Sequence, residues 1–217
     1  MIFYNAIFIP LLFVSVTIIC QIFLDKDTFT EIYKSFGSGL IAGLPIILII
    51  NTTQNLFPQT ILAIPVFFKF FLINGVLFWL LTGSLYKIST LITIKGTEGQ
   101  SLFHAGLTSG AFISGVLTIY NIFQSINGNF YDSILEYISY GSLIIAIAFC
   151  FGFIYQKIEE QFSTIFKLLL MSCGVISLSL ICSLFYFLTF YNSKYYVIFV
   201  LPALAIIILI YLKRDEL

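Results

Sequence analysis

Seven long stretches without a single charged residue divide this chain: 1–24, 35–68, 70–86, 99–131, 137–156, 168–193 and 195–212. A helix that crosses the hydrocarbon core of a bilayer needs about 20 mainly apolar residues. Inside lipid, a helix is the only open element that satisfies its own backbone. The pattern therefore predicts an all-α fold, a polytopic helical transmembrane bundle of about seven spans near 2–24, 38–57, 66–90, 102–124, 134–156, 166–191 and 195–212. The composition leaves no soluble alternative. Of 217 residues 60% are hydrophobic and 9% charged, with a mean hydropathy of +1.07, against roughly 25% charged in soluble domains. A water-soluble fold of this size would expose apolar surface it could not cover. Seven spans with short loops use up residues 1–217 as one transmembrane domain, and the lipid bilayer is the first partner.

Orientation follows from the basic residues. With seven spans, Lys26, Lys34, Lys87, Lys95, Lys157, Lys167, Lys213 and Arg214 fall on one side, and only Lys69 and Lys194 on the other. The crowded side is expected to be cytoplasmic, with the N-terminus outside, and the membrane is expected to be a bacterial cytoplasmic (inner) membrane. The first run has no basic residue before it and no small-x-small end, so it reads as a retained helix rather than a signal peptide. A cytoplasmic C-terminus also makes the ending Arg214-Asp215-Glu216-Leu217 a coincidental likeness to a lumenal retention tail. The net charge of zero argues against nucleic acid as a partner.

Catalytic chemistry finds no constellation here. No Asp or Glu is placed in mid-bilayer, where an ionisable group usually marks function. Glu159-Glu160 lacks the Arg and later His of glutamate-type intramembrane proteases, since position 164 is Thr. Ser109 in Thr108-Ser109-Gly110 is five residues from His104, the one histidine of the chain, about 140° around a helix. The two do not share a face, and a nucleophile–base pair is not expected. Cys20, Cys150, Cys173 and Cys182 all sit in apolar runs without a CxxC and read as small packing residues. Cys173 and Cys182, nine residues apart, fall on opposite faces of one helix. No metal or cofactor is expected, and the chain is expected not to be an enzyme.

Small residues carry more information. Gly39-x-x-x-Gly43 lies in the second span, and Gly106-x-x-x-Gly110-x-x-x-Ser114 in the fourth, with Ala111-x-x-x-Gly115 alongside. The sixth span is rich in Ser, Cys and Gly between Ser172 and Ser183. Such ridges let helix backbones approach where no hydrophobic effect drives association. The Gly106–Gly110–Ser114 stripe is expected to face another helix, the second span through Gly39 and Gly43, so that Gly110→Ile forces the helices apart while Phe112→Leu is mild. An oligomer contact is the other use of such a ridge. Asn51, Asn74 and His104 are the candidate polar site, supported by neighbouring Thr and Gln groups.

Residues of about 34–190 follow a rhythm of two helices, a basic glycine-containing loop from Lys95 to Phe103, a small-residue helix and a further helix. Gly96, Gly99, Ser101 and Phe103 stand where the Yip family has a Gly-Gly-x-Gly-Ser-Phe-like loop, and the stretch resembles that family of five-span membrane proteins associated with Rab-type GTPases. Thr97-Glu98 breaks the paired glycine, the usual proline of the following helix is absent, and the first and last spans are extra. The resemblance implies a non-enzymatic scaffold or adaptor, or a subunit of a membrane complex. A small permease for a polar or uncharged solute is the alternative, motivated by Asn51 and Asn74.

Overall fold

The computed structural model describes residues 26–57, 62–93, 102–126 and 164–191, with the single positions 198, 205 and 208. Among the described residues there is no strand; the chain is helical throughout its long segments. The expected spans near 2–24 and 134–156 lie outside the described residues. So does that near 195–212, apart from Ile198, Ala205 and Ile208, which are helical and exposed.

Helix α1 runs Lys26–Leu56. One of its faces, formed by Ile32, Ser35, Gly39, Gly43, Ile46, Ile47 and Ile50, is buried, while Tyr33, Ile41, Leu44, Leu48 and Ile49 are exposed. The buried stripe advances by three or four residues, as a helix face must. Both faces are apolar, which is the pattern of a helix that packs on one side and meets lipid on the other. The polar stretch 25–37 is expected as a loop from its charges, yet from Lys26 onward it forms the first turns of α1. Ile32 and Ser35 bury in those turns while Tyr33 and Lys34 point outward, so the stretch is amphipathic and its charges cost the helix little.

The next helix is continuous from Ala63 to Thr93 but changes its winding. Helix α2, Ala63–Lys69, passes into a π-helical stretch, Phe70–Leu77, and then into α3, Phe78–Thr93. Pro65 sits in the first turn, where its missing N–H has no intrahelical partner to lose. The π stretch buries Ile73, Asn74 and Gly75. Thr30–Leu56 and Ala63–Thr90 are each long and apolar enough to cross a membrane, and only 28% of the most apolar window of each is buried. A core helix of a soluble protein would hide most of that window.

Helix α4, Leu102–Ile126, and helix α5, Thr164–Tyr191, are the other long helices among the described residues. A Cβ placed on Gly39 of α1 would fall on the carbonyl oxygen of Phe112 in α4, and one placed on Gly115 would fall on the carbonyl oxygen of Phe36. At Gly43 an added Cβ would stand 3.0 Å from Cβ of Ile119. The two backbones therefore touch. Helix α5 packs on the π stretch: a Cβ at Gly75 would stand 2.8 Å from Cβ of Ser179 and 3.0 Å from Oγ of Ser183. Around these two contacts lies a single core that includes Ile46, Ile50, Ile73, Phe78, Trp79, Phe112, Val116, Tyr120, Cys182 and Phe185.

The stripe on α4 differs from the sequence expectation. Gly110 is buried, but a Cβ there meets nothing within 4 Å. The close approach belongs to Gly115, on the ridge written beside the expected one. Phe112, expected to be well round the helix, is fully buried at the crossing. Its ring bulk identifies it as a core residue, yet it is its backbone oxygen that meets α1. Cys182 is buried and Cys173 exposed, both as free thiols; Cys20 and Cys150 lie outside the described residues.

Candidate functional site

Uncharged polar side chains gather where α1, α3 and α4 meet. Ser35 Oγ donates to the backbone carbonyl of Thr108 at 2.7 Å, fully buried between α1 and α4. Ser89 Oγ of α3 donates to Ser38 Oγ at 2.7 Å, and Ser38 in turn donates to the Ser35 carbonyl at 2.8 Å. The Tyr86 hydroxyl and Thr108 Oγ1 are 3.1 Å apart. Hydrogen bonds thus tie three helices together at one level. In lipid this matters because water is not there to satisfy the same groups.

A second polar contact lies toward the other end of α1. Gln54 Nε2 donates to Asn74 Oδ1 at 3.1 Å, linking the end of α1 to the π stretch. Asn74 is buried and Asn51 half-buried, one turn before Gln54. Twelve residues separate Asn74 from Tyr86, about 18 Å along a helix. The amide pair and the hydroxyl group are therefore two places.

Of the residues expected to form a polar site, Asn74 meets Gln54, a residue that sequence reading leaves in the terminal polar run Asn51–Asn55. His104 stands in the first turns of α4, one turn before Thr108, and its side chain lies outside the described residues. The backbone thus puts His104 at the hydroxyl level and Asn74 well away from it. Gly39 and Gly43 lie on the α1–α4 contact, Ser114 donates to the Gly110 carbonyl at 2.8 Å, and the surroundings of Gly106 lie outside the described residues. Ser109 is buried within the bundle.

The residues that sequence reading misses are on the π stretch and α3. Gly75 carries the α5 contact, and Tyr86 and Ser89 carry the ties to α4 and α1. Their signal is faint but present: Thr82, Tyr86 and Ser89 recur at helical spacing inside an apolar span.

Hydroxyls and amides of this kind bind, orient and hold helices together; they supply no charge. Among the described residues no group of three or more His, Cys, Asp or Glu is placed to hold a metal ion. No protein-family model, no curated protein and no solved structure matches this chain.

Proposed function

We propose that this chain is a multi-pass integral membrane protein of about seven spans that serves as a non-enzymatic scaffold, or as a subunit of a membrane complex, in a bacterial cytoplasmic membrane. The observation that carries the reading is the α1–α4 crossing. There the backbones meet through Gly39 and Gly115, and the buried Ser35 and half-buried Ser38 and Ser89 hydroxyls beside them are bonded to one another or to the main chain. Close backbone contact fixes two helices as one unit. A carrier needs elements that move against each other around a central site, and the crossing supplies none. The outward faces of α1 and α3, with Ile41, Leu44, Leu48 and Leu80 exposed, suit lipid or a neighbouring subunit. The Yip-like stretch of about 34–190 points toward the same adaptor role.

A second reading, a small permease for a polar or uncharged solute, rests on the partly buried Gln54–Asn74 amide pair. The two readings separate in one purification. The scaffold reading expects the tagged protein, taken gently into mild detergent, to run as an assembly of fixed stoichiometry, and to give no solute uptake when reconstituted into liposomes. A lone monomer with saturable uptake that Asn74→Leu abolishes would establish the permease instead. Seven spans also place a reporter fused after Leu217 in the cytoplasm and one in the 125–133 loop outside. Reversed signals at both positions would rule that topology out.

A further inference from the structure

The helix from Ala63 to Thr93 is anchored at its two ends by different neighbours. Near its start Phe67 meets Phe187 of α5 edge to face, with ring centroids 5.6 Å apart. Toward its end the Tyr86 hydroxyl meets Thr108 of α4 at 3.1 Å, and Ser89 donates to Ser38 of α1 at 2.7 Å. The winding changes between these anchors. The Phe70 N–H bonds to the Val66 carbonyl, four residues back, as in an α-helix. The Phe78 N–H reaches the Ile73 carbonyl, five residues back. A five-residue step takes one more residue into the turn than α winding does.

That extra residue decides which side chains α3 turns inward. Val66 and Ile73 are both buried, seven residues or two α turns apart. Two more α turns would bring Leu80 inward, yet Leu80 is exposed. Thr82, nine residues after Ile73, would face the opposite way in continuous α winding, yet it is buried. Rewinding the stretch to α would turn α3 by about 100° against α2. Ile88, now exposed, would take the place of Ser89 beside Ser38, and Leu85 that of Tyr86 beside Thr108. Both hydroxyl ties would be lost. Because π winding is rare, contacts outside the backbone must hold it here. Two fall within the stretch: Gln54 Nε2 donates to Asn74 Oδ1 at 3.1 Å, and Gly75 lies against Ser179 and Ser183 of α5.

We propose that Phe70–Leu77 is a register switch latched by the Gln54–Asn74 hydrogen bond. With the bond made, the stretch keeps its extra residue, and α3 is tied to α1 and α4. With the bond broken, the stretch rewinds to α and α3 turns by one residue. The amide pair thereby governs hydroxyl ties that lie fifteen residues away at Ser89, about 22 Å along the helix. Packed interfaces rearrange in discrete steps of this kind rather than by continuous deformation. The α1–α4 crossing takes no part, so the switch does not rest on the scaffold reading.

Disulfide trapping reads the two registers separately. The full-length protein, with its own cysteines replaced by alanine, is reconstituted in bilayers and treated with a mild oxidant. Ser38→Cys paired with Ser89→Cys reports the π register, because the native hydroxyls touch. Ser38→Cys paired with Ile88→Cys reports the α register. The first pair should close much faster than the second. Adding Asn74→Leu should lower the ratio of the two initial rates about fivefold, the shift expected from loss of one net hydrogen bond. Gln54→Leu breaks the same bond from a half-buried position at the end of α1 and should lower the ratio alike, even if the Asn74 variant folds poorly. A ratio that Gln54→Leu leaves unchanged would overturn the proposal. So would loss of both cross-links in that variant, since α3 would then have come away from α1 without turning.

Discussion

Two tight helix contacts among the described residues are made of different material. At the α1–α4 crossing, backbone lies on backbone: Gly39 faces the Phe112 carbonyl, and Gly115 faces Phe36, Leu40 and Gly39 itself. At the contact of α5 with the π stretch, the glycine is on one side only, and Gly75 faces the hydroxymethyl groups of Ser179 and Ser183 as well as a backbone oxygen. A carbonyl held in a helix cannot step aside; at Gly75 the approaches are longer, 2.8 Å to Cβ and 3.0 Å to the carbonyl oxygen of Ser179, and the third neighbour, Ser183 Oγ, can rotate. The first contact therefore tolerates nothing larger than glycine, and the second has some give. Both are in keeping with the way membrane helices associate, through small residues and interhelical hydrogen bonds rather than through expulsion of water.

That contrast sets the order of expected effects. Gly39→Leu or Gly115→Leu must separate two backbones, at a cost of about 3 kcal/mol or more, the upper range of overpacking. Thermal unfolding in detergent should show a large loss for either, and a loss no greater than that of Gly75→Ala would remove the distinction between the contacts. Gly75→Ala should cost about 1–2 kcal/mol, because its neighbours stand farther off and Ser183 Oγ can rotate away. Combining it with Ser183→Ala should recover some of that loss, and an unchanged cost would mean that Cβ and the backbone oxygen of Ser179 set the limit. The smallest effect belongs to Gly110→Ala. A Cβ there meets nothing within 4 Å, and replacing a helix-interior glycine gains about 0.5–1 kcal/mol. The variant should therefore unfold at the same temperature as the unmodified protein or slightly above. A drop like that of the Gly39 variant would restore the packing role expected of Gly110 from sequence.

The helices are legible in the sequence because charge punctuates the chain, and an uncharged run of span length has few other ways to satisfy its backbone. The rotation of each helix is not. Gly106–Gly110–Ser114 and Ala111–Gly115 both repeat every four residues, and spacing alone cannot say which ridge meets α1. That is decided by the neighbours on every side, as Gly115 against Phe36 and Leu40 makes plain. Phe112 misleads for a related reason: a large side chain marks burial, but says nothing of whether its own carbonyl forms the surface for the next helix. The first turns of α1 read as loop because charge outweighs the buried positions Ile32 and Ser35. Asn74 stands out as an amide in an apolar run, while its partner Gln54 depends on how the end of α1 leans on the π stretch. The π winding itself is a matter of backbone register and leaves no residue signature of its own.

In a membrane bundle, α1 and the Ala63–Thr93 helix lie in lipid with their unburied apolar faces outward. Leu44 is 58% exposed and Leu72 45%, and both belong to the apolar spans of those helices. The direct measurement places a single nitroxide label at each position in turn, through Leu44→Cys or Leu72→Cys in a protein whose own cysteines are replaced by alanine, reconstituted in bilayers. Power saturation should then show that dissolved oxygen reaches both labels and that a water-soluble nickel reagent reaches neither. Free access of the nickel reagent to both positions would place these faces in water and contradict the membrane bundle.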